Sequence, residues 1–322
     1  MLLLNKIIDL VNEDLAKVEN TLKSVGDVQD IHLSELLGCA LSNGGKRIRP
    51  ALTLLSGKLY NYDLDCLLPM AAAVELLHGA TLVQDDAIDK SAVRRGRPTV
   101  NDVWGEEKAV LIGDYMFAKA GELCASTGNL RVIKLFSQTL ATISIGELDQ
   151  AFNAFNLEQT REHYLDRVAK KTASLFVLAT ESGAILSQAS ERSVEVLREY
   201  GYNLGIAFQI VDDILDFTGT EEELGKPVGS DLAQGTLTLP AMLLLERYAE
   251  DNPIRRFFRN RGDVDNKNRV IDMIRNSTIV QECYDFAANY CTRACQNLNL
   301  LPENASCQAL MNLADYIVMR KK

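Results

Sequence analysis

The chain has 322 residues, of which 47% are hydrophobic and 24% are charged, as in a soluble globular protein with a large core. A formal net charge of -10 and the lack of any basic arm or Lys/Arg run argue against nucleic acid as a partner. The seven cysteines are scattered through apolar patterns, which predicts reduced thiols in a cytoplasmic protein.

Apolar residues recur at intervals of three and four through most of the chain, and strand-like alternation is almost absent. Short runs rich in glycine, asparagine and proline separate these stretches, and no linker or low-complexity tract divides the chain. The pattern predicts an all-α protein, one domain over 1–322 built as a single large bundle of antiparallel helices. The predicted helices are 3–24, 32–43, 49–60, 65–90, 106–127, 129–157, 161–188, 191–218, 237–249, 267–299 and 303–320.

The pattern predicts neither a secretory signal nor a transmembrane segment. The apolar start is soon followed by Asp9, Glu13 and Asp14. The stretch nearest to a membrane span is 172–190, whose only charge is Glu181, but its serines and threonines favour a buried bundle helix. Loose association with a membrane surface remains compatible with this pattern.

Two aspartate clusters of the form D-D-x-x-D lie at 85–89 and 212–216, each after a long apolar stretch. On a helix, the first and last aspartates of a cluster lie about 6 Å apart along the axis and point the same way, so they repel each other. Magnesium is usually held by a few carboxylates together with substrate phosphates. We therefore predict that both clusters face one cavity and clamp a diphosphate through metal, rather than forming solvated acidic patches. The candidate metal ligands are Asp85, Asp86, Asp89, Asp212, Asp213 and Asp216.

Basic residues that would neutralise a diphosphate occur near predicted helix starts and turns. The segment 44–50 places three basic residues after a glycine pair and before a helix, where an anion is favoured. Arg94 and Arg95 follow the first aspartate cluster by one short turn, and Lys171 and Lys226 add further positive charge. Any one of these residues alone is typical of a solvated surface.

His78 follows Glu75 at the E-x-x-H spacing that also builds di-iron sites in helical bundles. A di-iron site needs a second such pair, and neither His32 nor His163 provides one. The alternatives are a histidine packed in the core and a ligand-binding histidine, since His78 lies two helical turns before Asp85 on the same face.

The order of these motifs resembles that of the trans-isoprenyl diphosphate synthases, also called polyprenyl synthetases. The similarity extends over about residues 40 to 245 and comprises 44–50 (GGKRIRP), 75–78 (ELLH), 85–89 (DDAID), 94–99 (RRGRPT), 113–115 (GDY), 171–173 (KTA), 208–216 (FQIVDDILD) and 225–232 (GKPVGSDL). The resemblance implies the isoprenoid synthase fold, in which the bundle surrounds a deep central cavity. It also implies head-to-tail condensation of isopentenyl diphosphate with an allylic diphosphate.

The resemblance also implies roles for individual residues. Asp85 and Asp89 would bind two magnesium ions, and Asp212, supported by Asp213 and Asp216, would bind a third. Lys46, Arg49, His78 and Arg95 match the family's isopentenyl diphosphate site. Arg94, Lys171 and Lys226 match its contacts to the allylic diphosphate, and the side-chain oxygens of Thr172 and Gln209 would face the allylic cation.

Two positions depart from the family pattern. Gln84 precedes the first cluster where many relatives carry histidine, and Thr236 follows Gly235 where many carry lysine. Each departure would weaken a phosphate contact, but we expect activity to survive both.

Product length in this family depends on the residues four and five places before the first cluster. Here they are Ala80 and Thr81, whose small side chains leave the tunnel open. The resemblance therefore favours products of roughly six to ten isoprene units, although geranylgeranyl diphosphate stays open as an alternative. The tunnel floor would come from deeper residues such as Met116, Phe117, Leu135 or Phe136.

Three other interpretations compete with this one. A terpene cyclase would share the bundle and first cluster, but it usually lacks a second D-D-x-x-D. A non-catalytic partner subunit typically loses one cluster, and both are intact here. A catalytic subunit that needs a small partner remains open, although the family analogy favours a homodimer.

Overall fold

The computed structural model describes residues 2–41, 44–225, 227–248 and 252–320. In the first half, the helices are α1 (Leu2–Ile7), α2 (Asn12–Ser24), α3 (Ile31–Leu41), α4 (Ile48–Gly57), α5 (Leu64–Ile88), α6 (Val100–Trp104), α7 (Glu106–Ala125) and α8 (Leu130–Phe152). A 3₁₀ turn at Asp9–Val11 links α1 to α2, and strands β1 (Val93–Arg94) and β2 (Arg97–Pro98) form a small antiparallel hairpin.

In the second half, α9 (Arg161–Val168) continues through a π-helical turn (Ala169–Ala173) into α10 (Ser174–Leu186). The remaining helices are α11 (Glu191–Thr218), α12 (Glu221–Leu224), α13 (Ser230–Ala233), α14 (Leu239–Arg247), α15 (Pro253–Arg259), α16 (Val264–Arg275), α17 (Ile279–Cys295) and α18 (Ala305–Met319). A 3₁₀ turn at Leu298–Leu300 precedes α18. The all-α prediction is confirmed, and the long helices α5, α7, α8 and α11 begin and end within a few residues of their predicted limits.

Three predicted helices are wrong in their continuity. The helix predicted at 3–24 is broken by the 3₁₀ turn, and the one predicted at 161–188 contains the π turn. The helix predicted at 267–299 is two helices, because the chain turns at 276–278 and Ser277 accepts a hydrogen bond from the amide of Ile279. The short helices α6, α12, α13 and α15 and the β-hairpin were not predicted, since each is shorter than a periodic pattern can reveal.

Side-chain caps fix the starts of the helices that carry the candidate site. The carboxylate of Asp63 accepts a hydrogen bond from the amide of Asp65 at the start of α5, and Ser190 does the same for Ser193 at the start of α11. Such caps satisfy amide groups that have no partner inside the helix. They set the register of α5 and α11, and therefore the direction in which both aspartate clusters point.

The centre of the bundle consists of α4, α5, α10 and α11. Helix α10 packs against α4, α5 and α11, while α7 runs along α5 and α17 runs along α11. Every residue of α4 is buried, as expected for a helix enclosed on all sides. The two helices that carry the aspartate clusters are thus held on either side of α10.

Helix α5 is, in the described part of the chain, the one helix long and apolar enough to cross a membrane. Over half of its most apolar stretch, 56%, is buried inside the protein, as in the core helix of a bundle. The prediction that the stretch 172–190 comes nearest to a membrane span is wrong, because α5 does so, and α10 covers only Ser174–Leu186 after the π turn.

Gly205 allows α11 to approach the π turn closely. A Cβ atom at Gly205 would lie 2.5 Å from the Cα of Ala173 and 2.9 Å from its Cβ, closer than side chains approach one another in proteins. A glycine is therefore required where α11 meets the turn that carries Lys171 and Thr172.

We expect Gly205→Ala to lower the free energy of unfolding by about 1 to 3 kcal/mol, because the added methyl group must push the two backbones apart. The matched control is Gly38→Ala on α3, where a Cβ would meet nothing within 4 Å. That change should be neutral or stabilise by up to about 1 kcal/mol through helix propensity. Chemical denaturation of both variants measures the difference, and equal midpoints would contradict the close approach.

Candidate active site

The first aspartate cluster lies at the end of α5, where its members have different surroundings. Asp86 is buried and accepts hydrogen bonds from Nε of Arg94 at 2.8 and 3.0 Å. Asp85 and Asp89 are partly exposed and one helical turn apart. Burial and the charge of Asp85 raise the pKa of Asp89. Asp85 and Asp89 therefore present a pair of mutually repelling carboxylates, while Asp86 fixes the following hairpin.

The hairpin that follows α5 directs Arg94 and Arg95. Its turn, Arg95-Gly96, has positive φ angles of 52° and 74°, the combination that tight hairpins with a right-handed twist require. Arg95 also donates to the carbonyl of Gly44, which joins the hairpin to the segment that precedes α4. Arg94 and Arg95, to which the resemblance gives different substrates, are thus placed by one turn.

The second cluster lies near the end of α11 and has one accessible carboxylate. Asp212 keeps 40% of its side chain exposed. Asp213 is buried and accepts from the Tyr164 hydroxyl at 2.6 Å and from Nε2 of Gln209 at 2.8 Å. Asp216 is also buried and accepts from the Ser230 hydroxyl at 2.9 Å. This arrangement suits Asp213 and Asp216 to supporting Asp212, the relation that the resemblance implied.

The two clusters are close enough to influence each other's surroundings. Asp89 receives a hydrogen bond from Gln234, and the charge of Asp231 helps to raise its pKa. Burial and the same Asp231 raise the pKa of Asp213 to about 7, against the effect of its two hydrogen bonds. Asp231 in α13 and Gln234 just after that helix thus lie near the aspartate clusters, and the meeting of the two clusters at one site stays a prediction.

Lys171 lies on the π turn between two carboxylates. Its Nζ is 2.8 Å from Oε2 of Glu147 on α8 and 3.7 Å from Oδ2 of Asp85. Burial alone would lower the pKa of Lys171, but these two carboxylates raise it. Burial and Asp85 also raise the pKa of Glu147 to about 7. The lysine is therefore held as a cation beside the first cluster.

A chain of hydrogen bonds connects the π turn to the second cluster. The Thr172 hydroxyl donates to Oε1 of Gln209 at 2.7 Å, and Gln209 in turn donates to Asp213. Tyr164 completes the chain from the other side of Asp213. The chain fixes the amide of Gln209 and places the two oxygens that were predicted to face an allylic cation next to each other.

Four cations gather between α4, the hairpin and the end of α18: Lys46, Arg49, Arg95 and Arg320. Arg49 is only 9% exposed and its guanidinium lies over the rings of Phe176 and Phe208, 4.8 and 5.7 Å from their centres. Burial, with the charges of Arg95 and Arg320, lowers the pKa of Arg49 to about 10.

Arg320 closes the group of four from the carboxyl end of the chain. It donates to Oδ1 of Asp212 and to the carbonyl of Phe208, both at 2.6 Å, and lies 3.8 Å above the Phe208 ring. Nε of Arg49 and Nε of Arg320 are buried and have no hydrogen-bond partner among the described residues. Buried donors without partners beside mutually repelling cations indicate a site that binds an anion.

His78 lies beside this cation group, and its pKa is lowered well below the usual range by burial and by Arg49 and Arg95. It is therefore neutral and able to donate one hydrogen bond. Glu75, its partner in the di-iron alternative, instead accepts from Arg47 at 2.7 Å. Within the described ranges, no three His, Cys, Asp or Glu side chains are close enough to form a metal site by themselves.

The predicted chain-length residues differ in burial. Ala80 is completely buried, whereas Thr81 is partly exposed and donates its hydroxyl to the carbonyl of His78 at 2.8 Å. Met116, a candidate for the tunnel floor, is completely buried against the preceding turn of α5, with its methyl group 3.1 Å from where a Cβ of Gly79 would lie. A cavity of about 430 Å³ lies between α2, α3 and the Gly79 and Leu82 side of α5.

The remaining predicted positions are the two departures and Lys226. Gln84 donates through Nε2 to Asp114 at 2.9 Å and thereby ties α5 to α7. The amide of Thr236 donates to the carbonyl of Asp231 in α13. Lys226 lies outside the described residues.

The donor set fits magnesium bound together with a diphosphate. Asp85, Asp89 and Asp212 offer accessible carboxylates, and Oε1 of Glu147 is buried near Asp85 without a hydrogen-bond partner in the described part of the chain. Excess carboxylate oxygen with too few protein ligands for a closed site suits a hard cation that completes its shell with phosphate and water. The metal roles themselves stay predictions.

Sequence reasoning missed Glu147, Arg320 and Tyr164. Each acts on a predicted residue from far away in the chain, and none belongs to a motif with recognisable spacing. Glu147 did leave one signal, because it is the only charge between Lys134 and Asp149 in the sequence.

The fold and the site define a class of protein, an all-α enzyme with two acidic clusters and two groups of cations. One group is Lys46, Arg49, Arg95 and Arg320, and the other is Lys171 and Arg94. Such a site is suited to two anionic substrates and divalent metal. The profile of the family described as Polyprenyl synthetase matches residues 31–274. Among curated relatives, heptaprenyl diphosphate synthase component 2 of Bacillus subtilis is 37% identical over 97% of this chain and 89% of its own length. Solanesyl-diphosphate synthase 2 of Oryza sativa is also 37% identical, over 98% and 79%.

Among solved structures, the polyprenyl synthase of Caulobacter crescentus in complex with calcium and isoprenyl diphosphate has a TM-score of 0.95 and 34% identity. The match covers 99% of this chain and 98% of that one. The chain belongs to the polyprenyl synthetase family, and it is a prenyltransferase of the polyprenyl diphosphate synthase type.

We expect Tyr164→Phe to lower the free energy of unfolding by about 1 to 3 kcal/mol, because it leaves a buried oxygen of Asp213 without its donor. The loss should also raise the pKa of Asp213 further, since that hydrogen bond lowers it. Tyr202→Phe on the exposed side of α11 is the matched control and should change stability by less than about 0.5 kcal/mol. Denaturant unfolding compares them, and equal stability would show that the hydrogen bond contributes little.

Proposed function

We propose that the chain condenses isopentenyl diphosphate head-to-tail with an allylic diphosphate, with magnesium as cofactor, to give a long all-trans polyprenyl diphosphate. The observation that carries the proposal is the group of four cations next to the accessible carboxylate of Asp212, in which the buried Nε atoms of Arg49 and Arg320 have no hydrogen-bond partner among the described residues. A cation group that repels itself is stabilised when an anion binds, and a second diphosphate site distinguishes this reaction from terpene cyclisation.

Each cation group suits one substrate. Lys46, Arg49, Arg95 and neutral His78 would hold isopentenyl diphosphate, and Arg320 lies close enough to add a further donor. Lys171 and Arg94, beside the first cluster, would hold the allylic diphosphate.

The residues also suit the chemistry of the reaction. The allylic carbon–oxygen bond breaks, the double bond of isopentenyl diphosphate attacks the allylic carbon, and a proton leaves, which the released pyrophosphate is suited to accept. When bound, magnesium supplies Lewis-acid activation and a template for the leaving diphosphate. The hydroxyl of Thr172 and the carbonyl of Gln209 are fixed by hydrogen bonds, so they stabilise positive charge without having to reorganise.

We favour a product of roughly six to ten isoprene units. The small side chains of Ala80 and Thr81 support this range, and the two curated relatives described above are named as a heptaprenyl and a solanesyl diphosphate synthase. The acidic clusters are the reason for proposing magnesium as the cofactor. The reduced cysteines are the reason for proposing the cytoplasm as the compartment.

We also propose that the enzyme is a homodimer through the outward face of α7 and α8. Val110 and Leu111 near the start of α7 are exposed, as are Ile145, Leu148 and Phe152 near the end of α8. A four-residue turn joins the end of α7 to the start of α8, so the two helices run antiparallel. The start of α7 therefore lies near the end of α8. Phe152 is 84% exposed, and such an apolar patch is typical of a contact surface.

The competing candidate is a catalytic subunit that needs a second, different chain. The B. subtilis relative supports it, because its name designates one component of a heptaprenyl diphosphate synthase. The same apolar face would then bind the other component.

Purified chain alone, given magnesium, isopentenyl diphosphate and farnesyl or geranylgeranyl diphosphate, is expected to make a discrete long all-trans product. Chromatography of the extracted prenols measures its length. Light scattering on the same sample should give twice the chain mass of 35.7 kDa. No elongation, or growth that stops at farnesyl, would refute the proposal, and elongation only after addition of a second component would establish the competing candidate.

Thr81→Phe is expected to shorten the product while leaving turnover measurable, because its partly exposed side chain borders the path of the growing chain. Ala80→Phe should act in the same direction, but its position is completely buried, so thermal unfolding must accompany it. Leu300→Phe, at an exposed position on the 3₁₀ turn before α18, is the matched control and should leave product length unchanged. An unchanged distribution in both test variants would remove these residues from the tunnel wall.

A further inference from the structure

The contact between Glu147 and Lys171 is the closest carboxylate contact that Lys171 makes among the described residues. The Nζ to Oε2 distance is 2.8 Å, whereas the distance to Asp85 is 3.7 Å. The side chains of Glu147 and Lys171 are 23% and 25% exposed, so the pair is shielded from most of the solvent. A shielded ion pair with a direct hydrogen bond is stronger and better defined than one on the surface.

The backbone on both sides of this contact is fixed by close packing. A Cβ at Gly146 would lie 3.0 Å from the amide nitrogen of Lys171 and 3.0 Å from the Cβ of Lys170, so α8 meets the π turn without space between them. The π turn itself is a local departure from α-helical geometry, of the kind that often occurs at functional sites. Glu147 and Lys171 therefore meet because of two local features, the close approach at Gly146 and the π turn.

Glu147 has no second use in the described structure. Its Oε1 is buried and has no hydrogen-bond partner among the described residues, so the hydrogen bonding of its carboxylate there consists of the contact with Lys171. An unsatisfied buried carboxylate oxygen destabilises the fold. Retaining such a group beside the reaction centre indicates a function rather than a contribution to stability.

We propose that Glu147 is a positioning residue for Lys171, which holds its ammonium group toward the allylic diphosphate and away from the carboxylate of Asp85. The inference rests on the proposed function, because it takes Lys171 as a contact to the allylic diphosphate. Lysine has a flexible four-carbon stem, so its ammonium group turns toward whichever nearby carboxylate attracts it most strongly. Without the charge of Glu147, the nearest remaining carboxylate in the described surroundings is that of Asp85.

The displaced lysine would have two effects. Its ammonium would leave the place where it meets the allylic diphosphate, and it would occupy a carboxylate of the first cluster. Both effects weaken binding of the allylic substrate, while isopentenyl diphosphate lies against a different set of cations. Selective loss of allylic affinity is therefore the signature of a positioning role.

A double-mutant cycle on the full-length chain tests the proposal. The variants are Glu147→Gln, which keeps the shape and one acceptor oxygen but removes the charge, Lys171→Met, and the two combined. The matched control is Glu122→Gln on α7, which removes a carboxylate from an exposed Lys–Glu pair of 2.7 Å. Binding of farnesyl thiolodiphosphate in the presence of magnesium is measured by calorimetry, and KM is measured for each substrate.

Glu147→Gln is expected to weaken allylic binding roughly five- to tenfold and to leave the KM for isopentenyl diphosphate within about twofold. Lys171→Met should weaken allylic binding at least as much, and adding Glu147→Gln to it should change that binding by less than about twofold. Glu122→Gln should match the wild type. Thermal unfolding should show each single variant destabilised and the double variant partly restored, because removing both partners leaves no unpaired buried charge.

Three results would overturn the proposal: unchanged allylic binding in Glu147→Gln, equal losses for both substrates, or losses that multiply in the double variant. If Glu147→Gln alone folds poorly, the comparison of Lys171→Met with the double variant still decides, because it shows whether Glu147 acts without the lysine. A wild-type chain that binds no thiolodiphosphate and elongates nothing would instead refute the proposed function, which separates the two failures.

Discussion

The structure depends on repulsion between like charges that the fold forces together around one cleft. Asp85 and Asp89 repel each other at the end of α5, and Lys46, Arg49, Arg95 and Arg320 repel each other across from them. Neither group is stable by itself in a partly buried place, because removing charge from water is costly. Each group therefore requires opposite charge nearby, and the ion pairs of Arg320 with Asp212 and of Lys171 with Glu147 meet part of that requirement.

The buried members of each cluster make this arrangement possible. Asp86 accepts its hydrogen bonds from Arg94. Asp213 accepts from Tyr164 and Gln209, and Asp216 accepts from Ser230. Their bonds fix the backbone next to the accessible aspartates, so that those aspartates stay in place when their own charge changes. A repeated D-D-x-x-D motif thus combines two tasks at adjacent positions, one for the ligand and one for the scaffold.

The sequence was sufficient for the parts of the molecule that depend on local pattern. Helices α5 and α11 and the residues that they carry followed from apolar periodicity, and the family resemblance supplied the reaction. The π turn at 169–173 did not follow, because it depends on contact with another helix, the approach of Gly205 to Ala173. The break at 276–278 did not follow, because it is only three residues long and is fixed by a hydrogen bond of the Ser277 side chain. Glu147 and Arg320 were missed for the same reason, since they meet Lys171 and Asp212 across 24 and 108 positions of the chain.

The ion pair of Arg320 with Asp212 couples the two halves of the site. Arg320 adds to the repulsion at Lys46 and Arg49 while its guanidinium neutralises the accessible aspartate of the second cluster. A change in the charge at Asp212 therefore changes the electrostatic field at Lys46 and Arg49, and the reverse holds by the same electrostatics. The accessible aspartate of the second cluster and the cations beside it thus form one electrostatic unit, in which no charge changes alone.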